Sequence, residues 1–221
     1  MSRGAFITFE GSEGCGKSTQ VQRLAARLEQ SGVRTLVTRE PGGTAIGEKI
    51  RDLLQFAPES FAMTPEAELL LFEASRSQLV RETIQPALAQ GIVVISDRFF
   101  DSTTVYQGVA RKLPAGIVET LNAFAVGAAR PDVTFILDVD VETARARMLR
   151  RVRPVAVDDR MEQEPVEFYE RVCQGYRELA KREPDRFIVI DGRGLADAIE
   201  NEIWEALTSR PAFASLPKSK T

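Results

Sequence analysis

The 221-residue sequence predicts an α/β fold, a five-stranded parallel sheet with helices packed on both faces. Three observations carry that expectation. The apolar runs are short and unbroken rather than alternating, as in strands buried on both faces. Helical patterns separate each run from the next, so the strands are joined by crossovers. The first run also leads directly into a glycine-rich loop and a helix.

Ala5–Phe9 is the first strand, and Val21, Leu24, Ala25 and Leu28 recur at helical spacing until Gly32 ends that helix. Thr35–Thr38 is the second strand. Arg39-Glu-Pro-Gly-Gly43 turns into a helix carrying Ile46, Ile50, Leu53 and Leu54. Thr64-Pro65 reads as a cap followed by proline at the first helical position. The long helix it opens carries Leu70, Leu71, Ala74 and Leu79, and Pro86 bends or interrupts it. Ile92–Ile95 is the third strand, stopping at Ser96-Asp97. A polar loop and a helix over about 114–129 lead to the fourth, Val133–Leu137. Asp140 caps the next helix, which runs into an arginine-rich segment. Pro165 starts a helix with Phe168, Val172, Tyr176 and Leu179 on one face. Phe187–Ile190 is the fifth strand, and Ala198, Ile199, Ile203, Trp204 and Leu207 mark the last helix. Residues 1–209 read as a single domain and 210–221 as a flexible tail.

Composition removes whole classes of function. A net charge of −3 favours no nucleic-acid or acidic-membrane partner, and no apolar run approaches the length of a membrane span. The sequence holds no histidine, which excludes histidine triads, H-E-x-x-H metal sites and phosphohistidine intermediates. Cys15 and Cys173 are no disulfide framework and suit a reducing compartment. The start shows no signal-peptide pattern, so the cytoplasm is expected.

The chemistry begins at Gly11-Ser-Glu-Gly-Cys-Gly-Lys-Ser18, which fits the P-loop pattern G-x-x-x-x-G-K-[ST]. The expected architecture is therefore the three-layer P-loop NTPase fold, with the ATP site running from Gly11 and Ser12 to Thr19. Backbone N–H groups of Glu13 to Thr19 are placed to wrap a nucleotide's phosphates. Gly11, Gly14 and Gly16 are expected to permit the tight turn and close backbone approach. Lys17 is expected to reach the β- and γ-phosphates and Ser18 to bind Mg²⁺. Cys15 either fills a small space or, at a helix N-terminus, is a thiol open to oxidation. A partner carboxylate for the metal belongs at a strand end. Asp97 and Asp138 both qualify, and Asp97 is preferred because Arg98 follows it.

Beyond the second strand, Arg39 beside Pro-Gly-Gly suggests an anion site rather than a plain turn. Phe72 and Arg76 lie one turn apart on the long helix. Together they suit a nucleoside monophosphate, or else Phe72 is core and Arg76 is solvated. Asp101, Ser102, Thr103, Thr104, Tyr106 and Gln107 supply hydrogen-bonding groups at a strand exit. Five arginines fall between Arg145 and Arg153, either a charged helix face or a lid over about 145–162. A lid would neutralise charge and exclude water, and the P-loop itself has no arginine.

Taken together, these motifs resemble the thymidylate kinase family. The resemblance rests on Phe9–Thr19, Thr38-Arg-Glu-Pro-Gly-Gly-Thr44, Asp97-Arg-Phe99 and Ser102-Thr-Thr-Val-Tyr-Gln-Gly108, and it covers residues 4 to about 207. It implies a homodimer, ATP as donor, dTMP as acceptor and Mg²⁺. It also implies that Arg98 contacts the acceptor phosphate, with Asp97 near the metal and Glu13 between acceptor sugar and phosphoryl centre. Arg39 would frame the acceptor phosphate, Phe72 would stack on thymine and Arg76 would reach its carbonyl. Thr103 and Tyr106 would complete the pocket, the tyrosine disfavouring a 2′-hydroxyl. Arg150, Arg151 and Arg153 would lie in the lid, with Arg153 on the γ-phosphate. Cys15, Phe99 and Thr103 depart from the commoner residues at their positions: Cys15 leaves the mechanism intact, Phe99 removes one polar contact, and Thr103 leaves the reading of the base's N3 edge open. The rivals are another small-molecule P-loop kinase and a GTPase-like switch. Against the switch, no N-K-x-D motif is present and no D-x-x-G follows strand three.

Overall fold

The computed structural model describes residues 3–150 and 160–213. Strands β1 (Phe6–Glu10), β2 (Thr35–Arg39), β3 (Val93–Asp97), β4 (Val133–Asp138) and β5 (Phe187–Asp191) form one sheet in the order β2-β3-β1-β4-β5. Every pairing is parallel. Each strand runs slightly past its apolar stretch and ends on a charged residue: Glu10, Arg39, Asp97, Asp138 or Asp191. The carboxyl edge of the sheet is thus where titratable side chains collect, which is where ligands bind in parallel α/β sheets.

β1 is central and buried along its whole length. Its alternation sends Ile7 and Phe9 into a core shared with α1 (Lys17–Gln30) and α9 (Ala196–Thr208), among Val21, Leu24, Leu28, Ile203 and Trp204. Each of these buried side chains contributes about 1.5–3 kcal/mol through removal from water. Phe6 points to the opposite face, against Leu79, Val80, Ile84, Val94 and Phe99. By the same alternation Glu10 lies on the Phe6 side, facing the helices that build the site. Phe213 joins the first core and Arg210 donates to the Asp185 carbonyl at 2.6 Å. The described chain continues past residue 210 as far as Phe213, an apolar side chain that packs with α9.

The expected caps at Thr64 and Asp140 are present, and Thr44 adds a third. Thr44 opens α2 (Ala45–Gln55), Thr64 opens α3 (Pro65–Leu79) and Asp140 opens α7 (Val141–Leu149), each side chain accepting from a backbone N–H three residues on. The long α-helix is interrupted ahead of Pro86, as expected. A π-helical stretch, Val80–Ile84, precedes it and the chain continues as α4 (Gln85–Ala89), the wider turn accommodating a residue with no N–H.

Two expectations are corrected. The segment after Asp97 is not a loop but α5 (Phe100–Thr103) followed by a π-helical stretch, Thr104–Ala110. Helical winding turns Ser102, Thr103, Tyr106 and Gln107 to one side and Asp101 and Thr104 to another, toward Arg186 and Asn122. On α3, Leu79 is buried as expected, with Leu69, but the buried face also holds Glu68, Glu73, Ser75 and Arg76, whereas Leu70 is 55% exposed. Apolar periodicity misreads this helix because its inner face is ionic.

That ionic face positions α3. Arg76 is fully buried and donates to Glu40 after β2, to Glu73, to Thr103, and to Asn122 on α6 (Ala115–Val126). Two buried carboxylates thus share one guanidinium. Burial raises the Glu40 carboxyl to about 7, against the opposing pull of Arg76. Between the ordinary 4.5 and about 7 the folded chain keeps a proton that the unfolded chain releases. This stabilisation is complete below about 4.5 and is lost as pH rises through about 7. Urea unfolding between pH 5 and pH 8 should therefore cost the wild-type chain about 1–3 kcal/mol more than it costs Glu40→Gln. Equal losses in the two proteins would contradict the assignment.

Candidate active site

The P-loop runs from the end of β1 into α1. Gly11 has φ 136° and Gly14 has φ 74°, and a Cβ on either would sit 2.6 Å from the Leu137 carbonyl oxygen or 2.4 Å from that of Ala144. Only glycine meets both demands. Gly16, at the N-cap of α1, is a different case: its φ of 101° requires glycine, but a Cβ there would meet no protein atom within 4 Å. Close packing against neighbouring protein backbone thus applies to Gly11 and Gly14.

The Lys17 ammonium folds into the loop, donating to the carbonyls of Gly11 at 3.1 Å and Ser12 at 2.8 Å. Cys15 is buried in the core and its sulfur lies 3.4 Å from the same ammonium, so it packs the loop rather than presenting a thiol to solvent. The N-terminus of α1 then offers its free N–H groups, through Thr19, and its positive dipole end to an anion.

The geometry separates the two candidate metal carboxylates. Asp97, at the end of β3 beside β1, accepts from the Ser18 hydroxyl at 2.6 Å. Asp138, on the other side of β1, is held by Arg177 at 2.9 and 3.1 Å. Among the described residues no cluster of three or more His, Cys, Asp or Glu could hold a metal alone. A hydroxyl and one carboxylate do match the sparse oxygen set that Mg²⁺ takes when phosphates and water complete its shell.

Arg98 links the loop to the opposite wall. Its backbone adopts φ 71°, a left-handed conformation costly for a non-glycine residue. The guanidinium donates to the Gly11 carbonyl at 3.0 Å, to Ser102 at 3.1 Å and to Glu13 at 2.7 Å. Tyr106 donates to the other Glu13 oxygen at 2.6 Å. Burial acts to lower the Arg98 pKa, but the oxygens of Tyr106, Glu13, Tyr176 and Glu10 outweigh it and hold it well above its ordinary value. Behind this group the Glu10 carboxylate accepts from the Phe99 N–H at 2.8 Å, the Ser102 hydroxyl at 2.6 Å and the Tyr176 hydroxyl at 2.7 Å. Burial first, and the charge of Asp101 second, raise the Glu10 pKa. Glu10 and Tyr176 were not legible as site residues, although a carboxylate closing an apolar strand was the available signal.

A pocket opens beside Arg98. Glu13, Pro41, Gln55 and Phe72 line one part, and Ser102, Thr103, Tyr106, Gln107 and Met161 line the rest. A larger cavity of about 970 Å³ lies between α7 and α8 (Val166–Arg182), but it holds none of the P-loop groups and opens beside Leu149, next to where the described chain breaks. The chemistry therefore belongs to the smaller pocket.

The structure sorts the remaining candidates. Phe72 lines the pocket and is half-buried, so it is not a core side chain. Arg76 sits behind the wall with its N–H groups engaged, reaching the pocket only through Thr103, on which it donates at 3.0 Å. It is buried rather than solvated, and it is not among the residues that line the pocket. Arg39 is exposed and paired with Glu48 at 2.7 Å, away from the pocket lining. Arg51, which the sequence reading passed over, donates to the carbonyl of pocket-lining Pro41 at 3.0 Å. Of the expected lid, Arg147 is fixed to the carbonyls of Gly192 and Arg193, and Arg160 is buried against Glu68. Arg150 is exposed at the end of α7. Arg151 and Arg153 lie outside the described residues.

Comparison with known proteins agrees with this geometry. The family model described as thymidylate kinase matches residues 9–203. The chain is 48% identical to the thymidylate kinase of Desulfosudis oleivorans over 93% of its own length and 97% of that protein's. It is likewise 48% identical to that of Geobacter sulfurreducens, over 94% and 98%. The crystal structure of thymidylate kinase from Ehrlichia chaffeensis superposes with a TM-score of 0.76 at 34% identity, covering 93% of this chain and 99% of that one. With the P-loop, the Ser18–Asp97 pair and the Arg98 bridge in place, this chain belongs to the thymidylate kinase family.

Proposed function

We infer that this chain transfers the γ-phosphoryl group of ATP to the 5′-phosphate of dTMP, giving ADP and dTDP. The observation that carries the reading is the Arg98 guanidinium, which touches the phosphate loop through Gly11 and Glu13 and the acceptor pocket through Ser102 and Tyr106. A cation shared by both sites is what a transfer between two anions requires.

The backbone amides of residues 13–19 and the Lys17 ammonium bind the donor's phosphates, and Arg98 draws the acceptor phosphate toward them with Arg51 at the rim. An acceptor oxygen attacks the γ-phosphorus in line, the bond from that phosphorus to the β–γ bridging oxygen breaks, and ADP leaves with its charge met by Lys17 and the α1 N-terminus. The acceptor is already an anion, so no base is needed. Glu13, committed to Arg98 and Tyr106, positions rather than abstracts. Ser18 and Asp97 would hold Mg²⁺, which when bound neutralises charge between the β- and γ-phosphates. Arg150, Arg151 and Arg153 are assigned to a lid that shields the γ-phosphate, with Arg153 placed on it.

The pocket wall suits thymine. Phe72 offers a face for stacking. Because Arg76 donates to the Thr103 oxygen, the Thr103 hydroxyl hydrogen is left to donate to a base carbonyl. Gln107 commits its amide nitrogen to Glu68 at 2.7 Å, which leaves its oxygen to accept an N3–H. A carbonyl beside a ring N–H is the edge of thymine and uracil, and cytosine presents the reverse. The Tyr106 ring, held by its hydroxyl on Glu13, leaves little room for a ribose 2′-oxygen.

We further propose a homodimer. The adjacent helices α2, α3 and α6 expose Ile46, Leu53, Leu70, Ile117 and Phe124, an apolar face that a second copy would cover. No helix among the described residues is long and apolar enough to cross a membrane. The reading places the enzyme in the cytoplasm, where buried, unpaired Cys15 and Cys173 stay reduced.

Coupled ADP-release assays with dTMP, dCMP, dGMP, AMP and thymidine should show turnover with dTMP far above the rest; turnover of thymidine without dTMP would sink the reading. Lys17→Ala should lower kcat roughly a hundredfold or more while dTMP KM changes only a few-fold. A raised KM with intact kcat would remove Lys17 from the transferring step. Light scattering should give twice the mass of one chain, falling toward one chain in Leu70→Glu, and a wild-type monomer would refute the dimer.

A further inference from the structure

Glu68 is a carboxylate on α3 with almost no exposure, outside the phosphate chemistry, yet four donors converge on it. Its Oε1 accepts from the Gln107 amide nitrogen at 2.7 Å and from Arg111 Nε at 3.2 Å. Its Oε2 accepts from Arg111 Nη2 at 3.1 Å and from Arg160 Nη2. Burial acts to raise its pKa, but Arg111, Gln107 and Arg160 outweigh that and hold it below the ordinary carboxylate value. Glu68 is therefore ionised and accepts only.

An amide is ambiguous in a way that a carboxylate is not. Either end of Gln107 fits the same space, and the partner decides which end faces which way. Facing an acceptor-only group, the nitrogen must turn to Glu68 and the oxygen is left for the pocket that Gln107 lines. We propose that Glu68 is a positioning residue that sets the polarity of the Gln107 amide and so makes the acceptor site selective for pyrimidines carrying a proton on N3. The proposal rests on the thymine-reading pocket described above and adds the group that gives that pocket its sign.

The consequence of neutralising Glu68 follows from which oxygen serves which donor. In Glu68→Gln the two Nη2 groups of Arg111 and Arg160 claim the single carbonyl oxygen at the Oε2 position, and the contact given up is the longest of the four, from Arg111 Nε at 3.2 Å. The new NH2 then faces Gln107, which turns its own oxygen toward it and presents its nitrogen to the pocket. A donor now meets the base where an acceptor stood, which suits the unprotonated N3 of a cytosine.

The probe pair is dTMP and 5-methyl-2′-deoxycytidine 5′-monophosphate, which share the methyl group, sugar and phosphate and differ at N3 and the adjacent exocyclic group. Wild type should prefer dTMP strongly in kcat/KM, and Glu68→Gln should lower that preference at least tenfold, with dTMP weakened and the methylcytidylate improved. A merely structural role would lower both substrates together, so an unchanged ratio in Glu68→Gln overturns the proposal while leaving the pocket reading intact. A wild type without preference overturns the pocket reading and the proposal with it. Should Glu68→Gln not fold, side-chain amide NMR of the wild-type protein decides instead. The Gln107 NH2 protons should be protected from exchange equally with and without dTMP, and free exchange in the nucleotide-free protein overturns the proposal.

Discussion

The whole arrangement turns on where Arg98 is held. Its left-handed backbone costs about 1–3 kcal/mol and persists only because its surroundings over-determine it. On one side its N–H is bonded to the Phe9 carbonyl at 2.9 Å, tying it to β1. On the other, Glu10 grips the next residue's N–H and the Ser102 hydroxyl. The side chain is thereby thrown back over the P-loop, where Glu13 meets it. A donor site on β1 and an acceptor site on α5 and the following helix become one site because this guanidinium belongs to both.

A similar logic governs α3. An amphipathic helix ordinarily turns an apolar stripe inward, but here Glu68, Glu73 and Arg76 occupy the inner face. Arg76 and Glu68 have partners on other elements: Glu40 and Asn122 for Arg76, Arg111 and Arg160 for Glu68. Removing one partner would strand a buried charge, so these clusters fix the helix in one rotational setting. Phe72 is brought to the pocket because its neighbours on the helix are anchored behind the wall. Neither Arg76 nor Glu68 lines the pocket, yet both set which hydrogen-bonding atoms it displays.

Much of this was legible in the sequence, for reasons that are local. The P-loop, the caps at Thr64 and Asp140 and the five apolar strands are written in contiguous residues whose spacing states their geometry. The preference for Asp97 over Asp138 also came from an adjacent residue, and Asp97 is the one of the two that meets Ser18. What escaped depends on partners far apart in the chain. Glu10 meets Tyr176 and Gln107 meets Glu68 across long separations, and no periodicity announces such pairs. The motif likewise names three glycines alike, and only the packing of Leu137 and Ala144 against the loop separates Gly11 and Gly14 from Gly16. Arg39 drew notice by standing beside Pro-Gly-Gly, whereas Arg51 on the next helix reaches Pro41. The fold places a helix face over the loop, and that placement is tertiary.

The claim that Arg98 joins donor and acceptor through Glu13 is tested most directly by a double-mutant cycle on kcat/KM for dTMP with saturating ATP, using Arg98→Ala, Glu13→Gln and the pair. If the two residues act as one bridge, the double variant should lose little more than Arg98→Ala alone, giving a coupling of about 1–3 kcal/mol. Losses that simply add would mean the two groups act separately, and the account of a shared cation would fail.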